Sequence, residues 1–242
     1  MNLIIDIGNT RTKVFVFEAN RLLDDYTFQK LTSTTLSKLL SRHNIDASIL
    51  SSVVKSGSAT AKLLRKKTHF VELSKNTSLP FRNEYKSKET LGNDRIANAA
   101  GALKTFPGKH CLIIDAGTCV KYDFINKSKK YLGGAISPGL MMRYRALHEF
   151  TSKLPLVKPS GSVQLTGKTT KESIISGVQL GILSEMEGYI RHYSLKYKGL
   201  KVILTGGDAV CFAHLLNFPI FAAPKLTAIG LNEILQHNLE KK

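Results

Sequence analysis

The feature that most constrains the fold is a near-repeat. LIIDIGNT begins at residue 3 and LIIDAGTC at residue 112, an offset of 109 residues. Each places an aspartate, Asp6 or Asp115, at the end of a Leu-Ile-Ile run, with Gly8 or Gly117 two positions later. The apolar pattern then resumes, as Val14-Phe15-Val16-Phe17 in one case and VKYDFI at 120–125 in the other. This layout reads as strand, tight turn and returning strand. A strand-turn-strand unit repeated at that spacing predicts two structurally related halves. Pro107-Gly108 closes the intervening helix, so the boundary is expected near Phe106–Lys109, with domains at 1–108 and 109–242.

Periodicity fills in the rest. In the first half it predicts a third strand around Asp25–Gln29, helical spacing at Leu36–Leu40, a buried parallel strand over 47–54 and a basic amphipathic helix over Ala59–Lys67. A short strand at Phe70–Leu73, a polar loop over 74–90 and a small-residue helix from Ile96 follow. In the second half it predicts helices over Leu140–His148, from Thr170 to about Lys196 and over Ala228–Leu239, with a strand at Lys201–Leu204. The class is α/β.

Composition bounds the function. A chain of 242 residues with 43% hydrophobic residues can bury a core and is not disordered. No apolar run reaches the ~18 residues of a membrane span, and the start lacks the basic-then-apolar layout of a secretory signal. Three scattered cysteines, Cys111, Cys119 and Cys211, suit reduced thiols. The expectation is a soluble cytoplasmic protein without a membrane partner. The net charge of +17 fits either a nucleic-acid binder or a basic surface that favours small anions. The densest basic run, Lys62 to Lys67, is not interleaved with aromatics, which favours a solvated face over a nucleic-acid partner.

Three turns carry candidate chemistry. Asp6 with Gly8, Asn9 and Thr10 exposes backbone N–H groups that can wrap a phosphate, beside a carboxylate that can hold a hydrated Mg²⁺. The alternative is an ordinary hairpin turn, and the copy at Asp115-Ala116-Gly117-Thr118 tips the balance to phosphate, because two facing turns would clamp a polyphosphate. Gly206 and Gly207, in Thr205-Gly206-Gly207-Asp208, could admit an adenine close to the backbone, or Asp208 could simply cap a helix. Asp94 and Arg95, side by side at a helix start, suit a general base and an anchor for an anionic or amide-bearing substrate. The alternative is a helix-capping Asp94 with a solvated Arg95.

Taken together, DIGNTRTK (6–13), Tyr85 before LGNDR (91–95), DAGT (115–118), GGAISPGL (133–140), Thr151 with Leu154-Pro155, GKTT…SG (167–177) and TGGDA (205–209) resemble the type III pantothenate kinases. These belong to the acetate and sugar kinase/Hsp70/actin superfamily. The resemblance implies two RNase H-like (actin-like ATPase) domains with mixed sheets and duplicated strand-turn-strand phosphate motifs. It also implies a homodimer and ATP-dependent phosphorylation of pantothenate, the first step of coenzyme A synthesis. Mg²⁺ with ATP and a monovalent cation, K⁺ or NH₄⁺, are the implied cofactors. Position by position, Asp6, Ile7, Gly8, Asn9, Thr10, Arg11, Thr12 and Lys13 match the first phosphate loop and Asp94 the catalytic base. Tyr85, Gly92, Asn93, Arg95 and Thr170 match pantothenate contacts, Asp115 the monovalent-cation ligand and Thr118 an ATP contact.

One position departs from that pattern. Lys121 stands where such sequences often carry Thr. If its ammonium points inward, it partly substitutes for K⁺; if it lies on the solvent side of its strand, which is the expectation here, it does not. A non-catalytic relative with a basic nucleic-acid- or protein-binding surface is the rival reading, and intact Asp6, Asp94 and Asp115 weigh against it.

Overall fold

The computed structural model describes residues 1–8, 11–52 and 59–241. In chain order the elements begin with β1 (Asn2–Ile7), β2 (Thr12–Glu18), β3 (Arg21–Phe28), α1 (Ser33–His43), β4 (Ala47–Ser52) and α2 (Ala59–Lys67). Next come β5 (His69–Glu72), the two-residue β6 (Arg82–Asn83), α3 (Asn93–Thr105), β7 (Cys111–Ala116), β8 (Cys119–Ile125) and β9 (Lys130–Pro138). The chain ends with α4 (Leu140–Glu149), α5 (Thr170–Lys196), β10 (Lys201–Thr205), the four-residue α6 (Ala209–Phe212), β11 (Ile220–Ala222) and α7 (Leu226–Leu239). They form two compact units: Met1–Thr105 with the chain from Lys225 onward, and Phe106–Pro224.

The same five-strand order recurs in the two units. In the first the strand order is β3-β2-β1-β4-β5, and in the second the corresponding series is β9-β8-β7-β10-β11. β1 runs antiparallel to β2 and parallel to β4. Likewise, β7 runs antiparallel to β8 and parallel to β10. The repeat read from the sequence therefore extends from the turn to the sheet. Register then fixes what faces each strand-end aspartate: Lys13 and Ser51 are opposite Asp6, and Lys121 and Thr205 are opposite Asp115.

The central strands are apolar throughout because both of their faces are covered. Leu3, Ile5, Val14 and Val16 pack with Leu36 and Leu39 of α1 and with Ala61 and Leu64 of α2. Ile4, which alternation sends to the opposite face, is also fully buried, and α7 contacts β1 and β4. In the second unit, Ile175, Val178, Ile182, Met186 and Ile190 form a stripe on α5 at helical spacing. The stripe packs in one core with Leu112, Ile114, Val120 and Tyr122 of the sheet.

The last helix is where the structure departs most from the sequence boundary. A split near Phe106–Lys109 leaves it in the second half, whereas α7 belongs to the first unit and packs on α3. The reason is a close crossing of small residues. A Cβ at Gly230 would fall 1.7 Å from the Ala97 carbonyl oxygen, and one at Gly101 would fall 2.5 Å from that of Leu226. Lys104 and Glu233 add an ion pair at 2.8 Å.

Smaller differences have local causes. β3 begins at Arg21 rather than Asp25, because it pairs with β2 along its whole length apart from a bulge. β4 is described to Ser52, so Val53 and Val54 of the expected strand lie outside the described residues. The 74–90 loop contains β6 and one 3₁₀ turn at Lys88–Thr90. Among the described residues no helix is long and apolar enough to cross a membrane.

Candidate active site

At the end of β1 the Gly8 N–H donates to the Arg11 carbonyl at 3.1 Å, which closes the first turn. Asn9 and Thr10, both expected phosphate contacts, lie outside the described residues. Asp6 and Ile7 are half-buried, Thr12 is buried, and Gly8, Arg11 and Lys13 are exposed. The Asp6 carboxylate is oriented from the neighbouring strand, where Ser51 Oγ donates to its Oδ1 at 3.0 Å. Ser51 was not a candidate from the sequence: it is one of three serines in β4, with Ser48 and Ser52, and only the register of β4 against β1 places it opposite Asp6.

At the start of α3 the carboxylate of Asp94 folds back along the chain. Its Oδ1 accepts the Arg95 N–H at 2.9 Å, and a Cβ on Gly92 would sit 2.5 Å from that same oxygen. Gly92 is thus the space that Asp94 occupies. Its carbonyl in turn accepts the N–H groups of Arg95 and Ile96 at 3.1 and 3.2 Å. Asp94 thus bonds a first-turn N–H from inside α3 rather than from its cap position, and the solvated Arg95 of the capping alternative is not observed. Arg95 is only 4% exposed, and its guanidinium lies 5.4 Å from the centroid of the Tyr85 ring. The structure thus brings together Tyr85, Gly92, Asn93, Asp94 and Arg95, all within the first unit.

The second unit gathers two turns around one carboxylate. Asp115 ends β7, and Lys121 on β8 reaches it with Nζ 2.7 Å from Oδ2; the two side chains are 14% and 17% exposed. The solvent-side orientation expected for Lys121 is therefore wrong. Antiparallel register puts the two residues opposite each other on one sheet face, and the aliphatic stem carries the ammonium inward. Gly206, at φ +97°, lets the third turn press against this point. A Cβ there would lie 2.1 Å from the Ala116 carbonyl oxygen and 2.6 Å from Asp115 Oδ1. The Asp208 N–H donates to that same Ala116 carbonyl at 2.9 Å. Thr118 and Gly207 are exposed at the tips of the two turns. Gly139 has no room for a side chain against the Gly117 and Thr118 carbonyls, so the start of α4 abuts the second turn.

The helix expected after TGGDA is a single turn, α6, and Asp208 makes no side-chain capping bond to it. Burial pushes the Asp208 carboxyl above the ordinary aspartate range.

Thr170 sits elsewhere in the second unit. It opens α5 just after the N-cap Thr169, whose Oγ1 accepts the Glu172 N–H at 3.2 Å, while Glu172 Oε2 reaches back to accept the Lys168 N–H at 2.8 Å. It lines a cavity of about 610 Å³ with Arg143, Leu147, Leu154 and Ile174. Beside that cavity is a network that sequence reasoning missed. Tyr122 OH donates to Glu185 Oε1 at 2.8 Å, Ser137 Oγ donates to Oε2 at 3.0 Å, and Arg143 is ion-paired to the same carboxylate. Burial acts to raise the Glu185 carboxyl, but the hydrogen bonds from Arg143, Tyr122 and Ser137 outweigh it and hold the group below the usual glutamate range.

Comparison with known proteins gives the family and the fold. The chain matches the model of the type III pantothenate kinase family over residues 2–192. It is 45% identical over 240 residues to the type III pantothenate kinase of Christiangramia forsetii, covering 98% of this chain and 99% of that one. It is 43% identical to the Phocaeicola vulgatus enzyme of the same name, with 98% and 99% covered. Among solved structures, a Campylobacter jejuni protein provisionally assigned to the Baf family of transcriptional activators superposes with a TM-score of 0.63 at 21% identity, covering 98% and 99% of the two chains. An inorganic polyphosphate/ATP-glucomannokinase from Arthrobacter superposes at 0.50 with 15% identity over the full length of both chains. These likenesses bear on the fold alone, a mixed α/β architecture of the actin-like ATPase kind. With its family model matched over most of the chain and its curated relatives matched end to end, this chain belongs to the type III pantothenate kinase family.

Proposed function

We propose that this kinase transfers the γ-phosphoryl group of ATP to the primary hydroxyl of pantothenate, the first step of coenzyme A synthesis, in the cytoplasm. The observation that carries the reading is the start of α3. A carboxylate held over Gly92 stands next to a buried guanidinium stacked on Tyr85, which is a proton acceptor beside an anion anchor. Asp94 takes the hydroxyl proton, while Arg95, Tyr85, Gly92 and Asn93 hold pantothenate. A positioned base of this kind contributes about 10²–10⁴-fold to the rate. Thr170 is assigned a substrate contact on resemblance alone.

In the first unit the turn from Asp6 to Lys13 is the proposed phosphate-binding element; in the second unit Thr118 is a proposed ATP contact, and Gly206 and Gly207 leave room for adenosine. Phosphoryl transfer asks mainly for positioning and charge stabilisation, which exposed turn amides supply. Kinases of this kind use a divalent ion with ATP, and Mg²⁺ is the proposed one. Among the described residues no group of three or more His, Cys, Asp or Glu side chains could hold a metal ion. Asp6, oriented by Ser51, fits a contact to a hydrated ion that arrives with the nucleotide. A free monovalent cation fits Asp115 poorly, because the Lys121 ammonium already lies on that carboxylate.

The protein is proposed to act as a homodimer. Ile136, Phe150, Leu156 and Leu165 of the second unit are 61%, 85%, 52% and 85% exposed, and a second copy that covered any of them would remove apolar area from water. Light scattering on the purified chain tests this, and a monomer at micromolar concentration would contradict it. The substrate assignment is tested by offering pantothenate within a panel of small hydroxy acids and sugars. Pantothenate should be phosphorylated with the highest kcat/KM, and preference for a sugar would overturn the reading.

A further inference from the structure

Asp115 and Lys121 form a largely buried ion pair at the end of β7. The carboxylate stands where β7 runs into the second phosphate turn, and its Oδ1 borders the Gly206 turn. An ammonium on its other oxygen is a compact, strongly hydrated point charge, in charge and hydrogen-bonding chemistry an NH₄⁺ on a tether. The pairing is not an automatic product of register. Lys13 occupies the equivalent place opposite Asp6 in the first unit, yet its side chain is exposed. The second unit thus provides locally a positive charge that a chain with Thr at this place would have to recruit from solution.

We propose that the Lys121 ammonium is a built-in monovalent cation at the second phosphate turn, so that nucleotide binding and phosphoryl transfer by this protein do not require K⁺ or NH₄⁺. The proposal rests on the reading of the chain as a kinase whose second turn meets the nucleotide. A tethered charge needs no salt to occupy its site, and it repels a second cation from the same carboxylate.

The test uses the whole protein at matched ionic strength in KCl, NH₄Cl and tetramethylammonium chloride. Mg·ADP affinity is read by calorimetry beside pantothenate kinase rates. For the wild-type protein both readouts should agree within about twofold across the three salts. Lys121→Thr should lose about 10²-fold in rate in tetramethylammonium chloride, in line with removal of one transition-state charge donor. It should recover most of that loss in KCl or NH₄Cl, with a parallel recovery in Mg·ADP affinity. More than tenfold activation of the wild-type protein by K⁺ would overturn the proposal, and that arm needs no variant to fold. A Lys121→Thr protein indifferent to the choice of salt would overturn it too. The calorimetric arm separates the two levels: salt-independent Mg·ADP binding without any phosphorylation of pantothenate would sink the substrate reading and leave the tethered cation standing, whereas K⁺-dependent phosphorylation would do the reverse.

Discussion

The guanidinium of Arg95 lies 5.4 Å from the centroid of the Tyr85 ring, in a setting where Arg95 is only 4% exposed. A buried cation stacked on an aromatic face is held in place before substrate arrives, at a gain of about 0.5–2 kcal/mol. Arg95→Lys keeps the charge but loses the planar fork that meets a carboxylate with two hydrogen bonds. It should raise the KM for pantothenate by roughly tenfold or more, with a smaller change in kcat. Steady-state kinetics checks this, and an unchanged KM would remove Arg95 from the substrate site.

Gly206 is constrained twice, by φ +97° and by its approach to the Ala116 carbonyl. Gly206→Ala must move the third turn off the end of β7, since the oxygen it meets is backbone and cannot swing aside. A loss of roughly 1–3 kcal/mol is expected from the strained conformation, with weaker ATP binding. Gly207→Ala, whose added carbon meets no protein atom within 4 Å, is the control for stability: it should unfold like the wild-type protein, and any loss of ATP affinity in it comes from the space proposed for adenosine rather than from strain.

The α3–α7 crossing offers a second contrast. Gly230→Ala would place a carbon 1.7 Å from the Ala97 carbonyl oxygen, so the two helices must separate. Overpacking of this kind costs about 1–3 kcal/mol or more. Gly181→Ala on α5 meets nothing within 4 Å and should stabilise by about 0.5–1 kcal/mol through helix propensity. Thermal unfolding of the two variants should move in opposite directions.

How much of this was legible in the sequence depended on distance along the chain. The repeat at Asp6 and Asp115 foretold two like sheets, because strand, turn and return are contiguous and their apolar pattern is periodic. α5, expected from Thr170 to about Lys196, spans Thr170–Lys196, and the Thr169-x-x-Glu172 spacing at its start is a further signal of that boundary. The return of α7 to the first unit was not, because it depends on Gly101 and Gly230 meeting across more than half the chain. Lys121 failed for a related reason. Alternation gives the face of a strand on which a residue lies, but the partner that draws an ammonium inward is set by the register of β7 against β8. Glu185 was missed because its partners, Tyr122, Ser137 and Arg143, come from three other elements.

Glu185 sets an acid limit on the second unit. Its folded-state pKa lies below the ordinary value of 4.5, so its contribution is fully present above that value and is lost as pH falls through the folded one. Glu185→Gln removes the titrating group. Its melting temperature should therefore fall less steeply than that of the wild-type protein as pH drops below about 4.5. Parallel curves for the two proteins, followed from neutral pH downward, would contradict the assignment.

The central claim is that Asp94 accepts the proton as a phosphoryl group passes from ATP to pantothenate. Its most direct test is the rate of 4′-phosphopantothenate formation by purified wild-type and Asp94→Asn proteins, with Mg·ATP affinity measured in parallel. The prediction is a product dependent on both ATP and pantothenate, a fall in kcat of about 10²–10⁴-fold in the variant, and little change in nucleotide binding. A variant that keeps the wild-type kcat, or a wild-type protein that leaves pantothenate unphosphorylated, would contradict it.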